Sequence, residues 1–258
     1  MMRRHQHPSL RALVVLLVGL GLLLTACSSG GAQPSLAPKK TPATPGSSVP
    51  ARGDFIAQAT VPMLQVYDAP GAPMPSREFE NPWYYTSDYQ KQYPIDSVFF
   101  SDDQKPGWVK VLLPVRPNGS TGWVRASDVR LFASRYRIEV DLSDHRLTVW
   151  EGGNVFLEDT VAIGKDSTPT PVGRFYLRVL LKAPDPNEVY GPYAYGLSGY
   201  SETLEQFNGS DAQVGIHGNN DPSQLGRGAS SGCIRMSNEA ITRLAAILPL
   251  GTIVDVHE

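Results

Sequence analysis

Apolar and polar residues alternate in short runs from Tyr136 onward: Tyr136-Arg137-Ile138-Glu139-Val140-Asp141, then Arg146-Leu147-Thr148-Val149-Trp150, then Val155 to Ile163. Alternation with period two sends one face of each run into a core, and Leu142 to His145 and Glu151 to Asn154 supply turns, so the pattern predicts an antiparallel sheet. Helical spacing shows once near the end of the chain, at Ile241, Leu244, Ala245 and Leu248. There Ser237 is placed as N-cap, Glu239 lies in the first turn, and Pro249 and Gly251 stop the helix. Thr252 to Val256 reads as a closing strand.

Upstream, Asp54 to about Ser134 holds further β-rich runs: Ile56 to Val66, Gly107 to Leu113, and Thr121 to Val124. Asn118-Gly119 between the last two predicts a hairpin. Residues 77–104 concentrate eight aromatics (Phe79, Trp83, Tyr84, Tyr85, Tyr89, Tyr93, Phe99, Phe100), which packing explains better than a glycan surface. The Pro- and Gly-rich stretch Ala183 to Phe207 is too long and irregular for a plain connection. It predicts a lid or substrate wall, with Tyr193 and Tyr195 as substrate contacts, or else a structural flap.

The first residues change the compartment. Arg3, Arg4 and Arg11 precede the apolar stretch Ala12 to Leu24, which is too short for a comfortable membrane span, and Leu24-Thr25-Ala26-Cys27 follows. This order resembles the lipobox of bacterial lipoproteins. The resemblance implies a signal peptide over residues 1–26, a lipid on Cys27, and an extracytoplasmic chain anchored to the cell membrane; an ordinary secretory signal or an uncleaved anchor is the alternative. Residues 28–53, rich in Pro, Ser and Gly, read together with Cys27 as an unfolded tether; as a flexible coil its 26 residues would span about 28 Å. Without residues 1–26, 20 basic residues face 25 acidic ones, a formal charge of −5 that speaks against nucleic acid as a partner. The 41% hydrophobic content suffices for two cores.

With Cys27 occupied by lipid, Cys233 in Ser230-Ser231-Gly232-Cys233-Ile234-Arg235-Met236 is an unpaired thiol. Near its reference pKa of about 8.5 a thiol is only a few per cent ionised at neutral pH, so a catalytic cysteine needs an imidazole or another positive neighbour. His145 sits in a predicted turn and His257 is penultimate, which leaves His217, flanked by Gly215 and Gly218. Taken singly, His217 reads as a structural histidine and Cys233 as a small buried hydrophobe; together they read as base and nucleophile. One thiol and one histidine fall short of a zinc site, and no metal or cofactor is expected. The Ser231, Gly232 and Cys233 amides are candidate oxyanion donors. Ser230 and Arg235 are candidate substrate contacts, Arg235 binding a carboxylate or bracing the loop.

Thr170-Pro171-Val172-Gly173-Arg174-Phe175, Gly215-Ile216-His217-Gly218 and Ser230 to Met236, in this order, resemble the L,D-transpeptidases with a YkuD-type catalytic domain over residues 135–258. The resemblance implies Cys233 as nucleophile, His217 as its base, and a backbone carbonyl near Gly218 that orients the imidazole. It also implies a mainly β fold, a β-sandwich with one C-terminal helix after the catalytic cysteine. Ser231 departs from the family's usual histidine, and Arg235 replaces the commoner asparagine. Gly107-Trp108-Val109, Gly122-Trp123-Val124 and Ala126 to Val129 resemble a bacterial SH3-like domain, a small β-barrel over residues 54–134, with Trp108 and Trp123 as core or rim. The implied activity is 3→3 cross-linking of peptidoglycan stem peptides, with carbapenems acylating Cys233. L,D-carboxypeptidase action, protein attachment to the wall, or a silent wall-binding lipoprotein are the alternatives.

Overall fold

The computed structural model describes residues 54–86, 92–207 and 209–258. The expected signal peptide, Cys27 and the tether lie outside them, as does Tyr89. The alternating runs form β1 (Tyr136–Asp141), β2 (Arg146–Glu151) and β3 (Asn154–Thr160), followed by β4 (Gly173–Lys182), β5 (Tyr193–Tyr200), β6 (Gln213–His217) and β7 (Ile234–Arg235). Helix α1 (Asn238–Ala245) and strand β8 (Ile253–His257) complete the set. The eight strands make one sheet in the order β3-β2-β1-β8-β4-β5-β6-β7. The chain is mainly β with one α-helix among the described residues, as its pattern predicts.

Two details depart from the simple antiparallel expectation. β8 runs parallel to β1, and β7 parallel to β6. The closing strand is a central one, because Ile253 and Val254 are both buried and neighbours flank it on each side. Ala162 and Arg235 exchange both backbone hydrogen bonds at 2.8 Å, so the chain leaving β3 meets β7 and the sheet curls onto itself.

Side-chain alternation divides the sheet into two faces. Ile138, Val140, Leu147, Val149, Leu177, Leu197, Ile216, Ile234, Val254 and Val256 point inward to one core, which Ala240, Ile241 and Leu244 of α1 fill. Ser237 caps the helix, its Oγ accepting from the Ala240 amide at 3.2 Å. Each fully buried Ile or Leu contributes about 1.5–3 kcal/mol.

The outer face carries Arg137, Asp255, Arg174, Ile253, Tyr176 and Tyr200, and the N-terminal residues pack there. Tyr176 and Ile253 enter a second core with Leu64, Val66, Phe99, Phe100, Val109, Val111 and Val124. An alternating chain of charges, Asp54, Arg137, Asp255, Arg174 and Asp102, crosses the same junction. The turn after Leu112 grips the end of β5: Tyr200 Oη donates to Pro114 O at 2.9 Å, and the Asn118 amide group both donates to and accepts from the Tyr200 backbone. All described residues fall within one compact unit.

The run Ile56 to Val66 is two strands, Phe55–Ala59 and Met63–Val66, with different partners, since Pro62 between them lacks an N–H for a ladder. Gly107 to Leu113 and Thr121 to Val124 pair as an antiparallel hairpin. Trp123 is buried, and Trp108 meets the Tyr67 ring edge-on at 5.1 Å. Among the clustered aromatics, Phe99 and Phe100 are core, while Trp83 and Tyr93 sit on a separate two-stranded hairpin.

Candidate active site

β6 and β7 pair with Ile216 opposite Ile234 and His217 opposite Arg235. Since Ile216 and Ile234 face the inner core, Gly215, His217, Cys233 and Arg235 all share the outer face. Parallel register, with no recourse to sequence proximity, thus brings the histidine and the cysteine to one patch.

His217 is 3% exposed, and its Nδ1 lies 2.6 Å from the Gly218 carbonyl oxygen. A carbonyl only accepts, so Nδ1 carries the proton and Nε2 the free lone pair. Burial pulls the imidazole pKa down to about 4; the Gly218 carbonyl opposes this and the Arg235 charge adds to it. The ring of Tyr190 meets the imidazole edge-on at 4.8 Å. Gly191 and Gly218 approach so closely that a Cβ on either would strike Asn238 Oδ1, which itself accepts from the Asn219 amide.

The loop that carries Cys233 is held from inside. Gly232 has φ +118°, a left-handed conformation that glycine tolerates best. Ser230, 2% exposed, accepts from the Gly232 amide at 3.0 Å and donates to the Cys233 carbonyl at 2.5 Å. Buried Thr170 donates to the Gly232 carbonyl at 2.9 Å and accepts from the Gly164 amide at 2.8 Å. Burial raises the Cys233 thiol pKa, while the Gly215 amide and the Arg235 guanidinium draw it down.

These contacts correct three expectations. Ser230 is buried and gives its one O–H to the Cys233 carbonyl within its own loop, so it has no donor for substrate. The Gly232 amide is taken by Ser230 and is no oxyanion donor; among the described residues the Ser231 and Cys233 amides have no acceptor. Tyr193 and Tyr195 occupy inward positions of β5. Tyr195 is 1% exposed and its hydroxyl donates to the Leu244 and Leu248 carbonyls, so both rings pack on the inner core, away from the thiol. The supposed irregular stretch Ala183 to Phe207 contains the regular strand β5, and the aromatic beside His217 is Tyr190.

Arg235 donates to Gln224 Oε1, while its buried Nε has no partner among the described residues. The Ser231 side chain is half-buried with no hydrogen bond among the described residues. No group of three His, Cys, Asp or Glu is placed to hold a metal ion among the described residues. Sequence reasoning missed Thr170, Gln224 and Asn238, of which Thr170 left a signal as a hydroxyl within Thr170 to Phe175, while Tyr190 lies inside the stretch expected to form a lid or substrate wall.

Removing the Ser230 hydroxyl orphans the Gly232 N–H and half-frees the Cys233 carbonyl. S230A is expected to lower unfolding free energy by about 1–3 kcal/mol and to slow alkylation of Cys233 by iodoacetamide. An unchanged urea midpoint with an unchanged alkylation rate would contradict this role.

Residues 135–256 match the profile of the L,D-transpeptidase catalytic domain, YkuD. A Bacillus licheniformis protein named "Putative L,D-transpeptidase YkuD" is 36% identical over 121 residues, 47% of this chain and 65% of that protein. Its Bacillus subtilis namesake is 34% identical over 122 residues, 47% of this chain and 66% of that one. The chain therefore spans just under two thirds of these relatives' own length. The catalytic domain of an Enterococcus faecium L,D-transpeptidase is 26% identical, covering 47% of this chain and 96% of that chain with a TM-score of 0.35. The segment 135–256, which holds His217 and Cys233 on one face, is thus similar to the L,D-transpeptidase catalytic domain, YkuD.

Proposed function

We propose that the chain forms 3→3 cross-links in peptidoglycan by acyl transfer through Cys233, with His217 as general base. The observation that carries this reading is the His217 Nδ1 bond to the Gly218 carbonyl, which leaves Nε2 basic on the face that Cys233 shares. Thiol and imidazole rest as a neutral pair, because burial raises one pKa and lowers the other.

As Sγ bonds to the carbonyl carbon of the third stem residue, the thiol proton passes to Nε2, and the Arg235 charge and the Gly215 amide steady the sulfur. The tetrahedral oxygen is met by the Cys233 N–H, one of the two loop amides without an acceptor. The Nε2 proton then goes to the departing D-alanine nitrogen as its C–N bond breaks, leaving a thioester. The side-chain amine of a neighbouring stem attacks, gives its proton to Nε2, and expels Sγ, which takes that proton back. The Arg235 guanidinium holds a substrate carboxylate near the thiol. A carbapenem presents a strained carbonyl to the same sulfur and acylates it. Residues 54–134 serve as an SH3-like module, and a lipid on Cys27 anchors the chain to the membrane.

The test is product mass on defined tetrapeptide-stem muropeptides with and without an amine acceptor. A dimer lacking one D-alanine is expected, with none from C233A. Dimer formed by C233A sinks the reading; a hydrolysed tripeptide in place of dimer assigns water as the acceptor.

A further inference from the structure

Among the described residues the Arg235 side chain has one hydrogen-bond partner, Gln224, whose Oε1 accepts from Nη1. Burial dominates the pKa shifts of Cys233 and His217, and the Arg235 charge acts on both as well, favouring thiolate and disfavouring imidazolium. What holds that guanidinium in place therefore bears on how easily the thiol ionises.

The acceptor is itself placed by local sequence. Pro222–Gln224 forms a short 3-10 turn with Asp221 as its N-cap and Pro222 at its start. Side chains three apart eclipse in such a turn, so Gln224 folds back over Asp221. Asp221 Oδ1 accepts from the Ser223 amide at 3.1 Å and the Ser223 hydroxyl at 2.6 Å, while Oδ2 accepts from Gln224 Nε2 at 3.0 Å. The Ser223 hydroxyl, Gln224 and the Ser223 amide, and then the Arg227 charge, hold the Asp221 carboxyl below its ordinary pKa, so it is ionised at neutral pH. A carboxylate only accepts and a guanidinium only donates. The amide between them has one workable orientation, nitrogen to Asp221 and oxygen to Arg235. Asn219, 4% exposed, fixes the turn from behind: it donates to the Asp221 carbonyl at 2.6 Å, accepts from the Asp221 amide at 3.1 Å, and gives its own amide to Asn238 Oδ1 at 2.8 Å. The segment that leaves His217 thus returns to touch Arg235.

We propose that Asp221 and Gln224 are positioning residues: the carboxylate decides which end of the Gln224 amide faces Arg235, and the oxygen so presented holds the guanidinium near Cys233. The proposal rests on the acyl-transfer reading of Cys233 and supplies the reason its cation stays in place. Charge alone predicts the opposite outcome at Asp221. With nothing moving, loss of that negative charge favours the thiolate and lowers the thiol pKa. In D221N, with Oδ1 kept by Ser223, an amide nitrogen meets Gln224 Nε2, donor against donor. Turning the Gln224 amide relieves that clash and sets Nε2 against the guanidinium, which moves away.

The thiol pKa is read from the pH profile of iodoacetamide alkylation, followed by mass on the Cys233 peptide of the full chain. D221N is expected to raise it by about one unit. Q224M, which fills similar space with no acceptor for Arg235, is expected to raise it as much. In the Q224M background D221N should raise it no further, because no amide remains to turn. A thiol pKa unchanged or lowered in D221N, unchanged in Q224M, or raised additively in the double variant overturns the proposal. Both side chains lie on a half-buried turn outside either core. Should D221N fail to fold, D221S, which keeps a capping oxygen and removes the acceptor for Nε2, takes its place with the same rise expected. A rise in the variants with neither dimer nor tripeptide in the product-mass assay keeps the positioning role and removes the reaction. Dimer from the unaltered chain with the thiol pKa unmoved in the variants removes the positioning role alone.

Discussion

A chain beginning at Arg135 is expected to be several kcal/mol less stable than one beginning at Asp54, although it keeps every strand of the curled sheet. Tyr176 and Ile253 lie in the core shared with Leu64, Phe99 and Val111. Exposing those two side chains alone costs about 3–6 kcal/mol, against a total stability of about 5–15 kcal/mol for an ordinary domain. The truncation also strips Arg137 of Asp54 and Arg174 of Asp102, and leaves the Tyr200 hydroxyl and backbone without Pro114 and Asn118. Urea melts of the two chains followed by circular dichroism measure the difference. Midpoints that coincide would show that the N-terminal residues are a passive neighbour.

The second large effect is expected at His217. H217Q should slow acylation of Cys233 by a carbapenem about 10²–10⁴-fold, the usual worth of a general base. The wild-type rate should hold its base-dependent component well below pH 6.5, because the imidazole stays neutral until about pH 4. Stability follows the same group. Its folded pKa lies below the unfolded one, so the unfolded state takes up the proton first, and stability is lost as pH falls from about 6.5 to about 4, by about 3 kcal/mol in total. H217Q should remove that slope. His257 works in the opposite sense, its pKa raised by the Glu258 carbonyl and by Glu139, but it is well exposed and contributes little. An acid limb of the acylation rate centred near pH 6.5, or a slope unchanged in H217Q, would contradict this account.

The alternating runs from Tyr136 to Ile163 and the capped helix after Ser237 were legible because each has a local signature, period two and an N-cap hydroxyl; the pairing of His217 with Cys233 was read from a thiol with one credible imidazole, and the fold puts both on one face. Register is not local. Nothing between Thr252 and Val256 announces that β8 sits centrally beside β1, and nothing in β5 tells which tyrosines face inward, so Tyr193 and Tyr195 read as ligands when they are core. Ser230 shows the same limit at smaller scale. A serine beside a catalytic thiol has two possible clients, substrate and backbone, and only the fold of the Gly232 turn decides between them.

The candidate site sits on the convex side of a curled sheet, beside the seam where Ala162 meets Arg235. A site inside a ring or a tunnel must be threaded by a free end. A convex site is approached sideways, so a strand tied into a net at both ends can be laid on it and lifted off again. For an enzyme whose proposed substrate is a covalent mesh surrounding a cell, lateral access is the geometry that lets it work in the middle of the fabric as well as at its edges.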